Sequence, residues 1–95
     1  MPQDDYLTKL LGKRIVGIII KESEGTPKSQ LFLLFEDDTH FEFYSAFDRI
    51  IPTKGLWQHS DGQTIENVRA YMGEVMHIVK EVYFEDWAQK NPASE

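Results

Sequence analysis

The chain has 95 residues, a length that suits one domain and is too short for two independent cores. Hydrophobic residues make up 41% of it and aromatics 13%, which excludes a disordered composition and predicts a packed core. The absence of cysteine excludes disulfides, thiolate metal sites and cysteine nucleophiles, and a net charge of −6 makes phosphate backbones and anionic lipid surfaces poor partners.

Met1 to Asp5 lack the basic region and apolar core of a secretory signal, and no apolar run approaches the roughly 20 residues of a membrane span, so a cytoplasmic protein is expected, without membrane or nucleic-acid partners. A single domain over 1–95, with flexible ends at 1–4 and 90–95, is the working organisation. Asp4 or Asp5 can cap a short helix that places Leu7, Leu10 and Leu11 on one packing face and ends at Gly12. The segment from Lys13 to Lys21 is β-branched and too continuous to have one wet face, which predicts an inner strand covered on both sides. Ser23, Gly25, Thr26 and Pro27 then form a turn.

Leu31 to Phe35 and Phe41 to Tyr44 read as the two strands of a hairpin around Glu36 to His40. Its register decides the faces. A two-residue loop of Asp37 and Asp38 sets Phe32 and Leu34 beside Phe41 and Phe43. A three-residue loop gathers Leu31, Leu33, Phe35, Phe41 and Phe43 on one face but forces Thr39 to a positive φ. Either register leaves apolar area on the second face, which one helical layer cannot cover, so a partner surface such as a second copy is expected.

Ser45 to Asp48 resemble a capping box with Asp in place of Glu or Gln, heading a short helix of Phe47 to Ile51 that Pro52 ends. Pro52 to Gln63 form the longest irregular stretch. From Thr64 onward Ile65, Val68, Met72, Val75, Met76, Val79, Val82 and Tyr83 follow a helical period, which predicts one long amphipathic helix to about Ala88, with Ile78 and Phe84 off the stripe. The competing reading stops the helix at Met72, caps it with Gly73 and makes Val75 to Phe84 a fourth strand.

The fold class is therefore α+β: a short N-terminal helix, a three-stranded antiparallel sheet, or four strands on the competing reading, and a long C-terminal helix packed on one face. No catalytic residues, metal ligands or cofactors are assigned. His40, His59 and His77 stand in no metal-ligand spacing, adjacent His59, Ser60 and Asp61 do not make a triad, and the glycines fit no phosphate-binding loop. The Gly55-Leu56-Trp57 loop is either a plug for the core or a ligand site, with Trp57, Arg49, His59 and Asp61 as binding candidates and Lys54 as a further companion.

Partner-binding candidates are Phe32, Leu34, Tyr44, Phe84 and Trp87. The expected function is a non-catalytic homodimeric accessory or protein-interaction module. Alternatives are a small-molecule binder or minor enzyme built on the Trp57 loop, and an acidic inhibitor or immunity-type protein that meets a basic partner through Glu36, Asp37, Asp38, Glu42 and Asp48.

Overall fold

The computed structural model describes residues 6–25, 27–53, 55–60 and 62–84. A 3₁₀ turn over Tyr6–Leu10 leads into β1 (Ile15–Glu22), β2 (Ser29–Phe35), β3 (Thr39–Ala46), β4 (Arg49–Pro52) and β5 (Trp57–Gln58), followed by α1 (Thr64–Ala70) and β6 (His77–Tyr83). All pairings are antiparallel, in the order β4-β3-β2-β1-β6, with β5 also on β3. One edge of β3 is thus shared, β5 pairing at Thr39 and His40 and β4 at Phe43 to Ala46.

The α+β expectation with a long C-terminal helix is overturned: the protein is mostly β, and the helical pattern from Thr64 runs only to Ala70. Two residues stop it. Tyr71 is extended, Met72 takes a positive φ of 56°, and the side chain of Lys21 donates from β1 to the carbonyls of Arg69 and Tyr71 at 3.1 and 2.6 Å. A lysine reaching the last carbonyls of a helix satisfies acceptors that have no intrahelical donor. The strand of the competing reading is present as β6, but the left-handed residue is Met72, not Gly73.

Other local expectations also change. The leucine stripe of the first helix packs only in part, since Leu10 is half-buried whereas Leu7 and Leu11 are exposed. Phe47 and Asp48 form no helix; they are the two-residue loop between β3 and β4, because Ala46 pairs with Arg49. The β2–β3 register sets Leu33 opposite Phe41 and Leu31 opposite Phe43, which gives the face partition of the three-residue loop. The loop is Glu36 to Asp38, and the positive φ falls on Asp38, an aspartate that tolerates it, rather than on Thr39.

This register sorts the sheet into two unlike faces. On one, α1 lays Ile65 and Val68 onto Val16, Ile19, Phe32 and Leu34, which form the core. Gly17 opens this face to Tyr83, whose ring carbon would stand 2.9 Å from any added Cβ. On the other, cross-strand pairing aligns Val82, Ile18, Leu33 and Phe41 in one row and Lys80, Ile20, Leu31, Phe43 and Pro52 in the next. Among the described residues no α-helix lies over those rows; Phe41 at one end is fully buried, while Ile18 and Ile20 of β1 stay partly open on this side. No helix of the described residues is long and apolar enough to cross a membrane.

Candidate functional site

Strand alternation places His40 and Glu42 on the helix-covered face, opposite Leu34 and Phe32. Both are buried, so each polar atom needs a partner. Glu42 accepts from the Gln30 amide at 2.7 Å and contacts His40 Nε2 at 2.8 Å. His40 Nδ1 lies 2.6 Å from His59 Nε2, and His59 Nδ1 lies 3.1 Å from Asn67 Nδ2. The network assigns the hydrogens. As a carboxylate Glu42 only accepts, so His40 carries its proton on Nε2 and His59 donates from Nε2 to His40 Nδ1. Asn67 then donates to His59 Nδ1. The donor chain runs Asn67, His59, His40, Glu42, and Gln30 closes it from the other side.

The turn before β3 holds His59 in place. The Asp38 carbonyl accepts from the His59 amide at 2.9 Å, and its carboxylate accepts from the Gly62 amide at 3.3 Å and the Thr64 hydroxyl at 3.2 Å. One left-handed aspartate thereby ties β5, the following loop and the start of α1 to the sheet. Trp57 stacks on His40 with ring centroids 6.3 Å apart, and His59 lies edge to edge with the same imidazole, its centroid 4.8 Å away. Burial holds the His59 pKa below the usual histidine value, His40 adds to the depression, and Asp38 opposes it.

Lys21 is fully buried beside this chain. Besides the two carbonyls at the end of α1, its ammonium lies 5.4 Å from the Phe32 ring centroid and 5.9 Å from that of Tyr71. Burial lowers its pKa, the charge of Arg69 lowers it further, and Glu42 acts in the opposite direction. The polar groups under α1 therefore form one neighbourhood, in which the Lys21 cation faces the Glu42 anion.

The chemistry open to this arrangement is limited by its completeness. Every nitrogen of both imidazoles is engaged, so neither presents a lone pair to a bound substrate as a general base would. The facing nitrogens are also too close to admit a metal ion, which needs about 2.0–2.1 Å to each. Among the described residues no group of three or more His, Cys, Asp or Glu side chains is arranged to hold a metal.

The residues singled out in the sequence scatter. Trp57 and His59 come together on His40, but Arg49 begins β4 opposite Ala46, six positions along β3 from His40 and hence roughly 20 Å away. Asp61, Lys54 and Trp87 lie outside the described residues, as do the chain ends at 1–4 and 90–95. Trp57 is 55% exposed, so it is not a buried plug. Phe32 and Leu34 are fully buried beneath α1 and fill the chain's own core, leaving no free surface for a partner. Tyr44 is half-buried, and Phe84 lies under the Arg14 guanidinium, 4.7 Å from its ring centroid.

The acidic set is also used internally. Glu36 pairs with Arg14 at 3.5 Å, Asp37 with Lys13, and Glu42 sits inside the buried chain. At Asp37, burial raises the pKa but the hydrogen bonds from Lys13 and Thr39 outweigh it, and the net shift is downward. Gln30, Lys21 and Asn67 are not singled out by the sequence, and Glu42 is singled out only within the acidic set. Their one signal is parity: His40 and Glu42, two apart on β3, must share a face, and the register turns that face inward. A scan against protein-family models, a search of curated proteins and a search of solved structures each return no match.

Proposed function

We propose that the protein is a non-catalytic interaction module that acts as a homodimer, joined through the helix-free face of its sheet. The observation that supports this reading is the pair of apolar rows centred on Ile18, Ile20, Leu31, Leu33 and Phe43, all partly open to solvent, with Ile50 76% exposed at the rim. A contiguous apolar face of this kind is the usual mark of an interface, and a second copy presents the same rows by symmetry. Lys80 and Glu22 border the rows and supply opposite charges for a polar rim. The closed histidine chain supports the non-catalytic half of the proposal. A cytoplasmic setting belongs to it too, since the fold is stabilised without any cross-link.

Sedimentation velocity across a concentration series tests this directly. A dimer is expected at micromolar concentration for the unaltered chain and a monomer for Leu33→Lys, with the far-ultraviolet circular dichroism unchanged. An unaltered chain that sediments as a monomer at several hundred micromolar overturns the proposal, and so does a dimer that survives Leu33→Lys undiminished.

A further inference from the structure

We propose that the His40–His59 pair is an acid-released latch, which holds β5 and the loop after it against the sheet until both imidazoles become cations. The facing nitrogens are 2.6 Å apart, with the rings tilted by 26°, so one hydrogen fits between them and two do not. In the neutral pair that hydrogen belongs to His59. A first added proton enters at His59 Nδ1, where the Asn67 amide turns to present its oxygen, and the latch stays shut. A second added proton puts a hydrogen on each of the two facing nitrogens, and these meet head-on. Two positive rings then also lie side by side with centroids 4.8 Å apart, and the contact must part.

Asp38 in the turn favours the His59 cation, Glu42 on β3 accepts from His40, and the neighbouring cations are Lys21 on β1 and Arg69 on α1. Asp37 at the same turn is occupied by Lys13. Gln30 and Phe32 on β2, Trp57 on β5 and Asn67 on α1 are neutral. The lowered His59 pKa fits the closed state: its contribution to stability is complete above about 6.5, the value in the unfolded chain, and is lost as pH falls from there through the lowered value.

What opens is the least anchored part of the sheet. β5 has two residues and pairs only with Thr39 and His40, whereas β1, β2 and β6 pair over most of their length. Separation of the imidazoles releases Trp57 from its stack and uncovers the His40 side of the Phe32 ring.

The test is nuclear magnetic resonance on the full chain between pH 7.5 and 4.5, following the Trp57 indole N–H, the histidine rings and the amides of β1 and β6. The open fraction is expected to rise about tenfold per pH unit, reflecting one extra proton bound on opening. The β1 and β6 amides should keep their native positions throughout. In His59→Gln, whose amide still donates to His40 Nδ1, the acid step is expected to vanish. The latch is refuted if Trp57 does not move down to pH 4.5, if it moves only together with β1 and β6, or if the step persists in His59→Gln.

Discussion

The two faces of this sheet are built from interleaved residues of the same strands, yet they solve opposite problems. The helix-covered face buries Phe32, Leu34 and Ile19 together with Lys21, Gln30, His40 and Glu42. The helix-free face carries almost nothing polar between its rims and keeps Ile18, Ile20, Leu31 and Leu33 only partly covered. Polar residues thus enter a dry core, and apolar residues in the middle of the other face stay partly wet although Phe35 and Phe41 at its end are buried, an inversion of the usual order in both places. That inversion is tolerable on the covered side because every buried polar group there has a partner, and a satisfied network fixes one arrangement of strands and helix. On the open side it is the feature that the proposed dimer would account for.

The sharpest way to break this contrast is to truncate one residue on each face of β2. Phe32→Ala removes a fully buried ring between α1, His40 and Lys21 and should cost about 3–5 kcal/mol in urea unfolding. Leu33→Ala, its neighbour on the open face, should cost roughly 1–2 kcal/mol in dilute, monomeric protein, since part of that side chain is already wet. Equal losses at the two positions would show that the open face is covered within the chain.

Lys21 tests whether the polar side is held by its partners or merely tolerates them. Lys21→Met keeps the length and apolar stem but removes the donor to the part-buried carbonyls of Arg69 and Tyr71, each lost bond costing about 1–2 kcal/mol. A total loss of about 2–4 kcal/mol is expected, with amide exchange at the end of α1 accelerating more than that of β1. An unchanged or raised urea midpoint would mean that desolvating the ammonium outweighs the cap it forms.

Much of this contrast was legible before the structure, and the rest was hidden for identifiable reasons. The β-branched run of β1 and the hairpin of β2 and β3 declare themselves, and so does the surplus of apolar residues for one helical layer. β6 did not, because its register against β1 shifts between Ile20 and Lys21. The bulge puts Ile78, Glu81 and Tyr83 on the covered face, an i, i+3, i+5 spacing that breaks the two-residue period and lets a helical one fit Val75, Val79 and Val82. Ile78 and Phe84, which fitted that helix poorly, were the trace of the strand. The buried chain was hidden differently: His40 sits beside Glu36, Asp37 and Asp38 in sequence and reads as an acidic tip, and only the pairing with Leu34 turns it inward.

Phe47 belongs to neither face, and the smallest expected effect lies there. It occupies the first position of the two-residue β3–β4 loop at φ 60°, a conformation that glycine adopts freely and a bulky residue adopts under strain, and its ring is 97% exposed. Within the monomer the side chain returns little for that strain. Phe47→Gly should therefore stabilise dilute protein by up to about 1 kcal/mol, a rise in the thermal midpoint of at most about 4–8 °C for a domain of this size. If the substitution instead destabilises the monomer, the ring must make contacts within the chain. If it stabilises the monomer while weakening the dimer, the strain at this tip is offset by contacts across the interface, and the open face extends past Ile50 to the end of its hairpin.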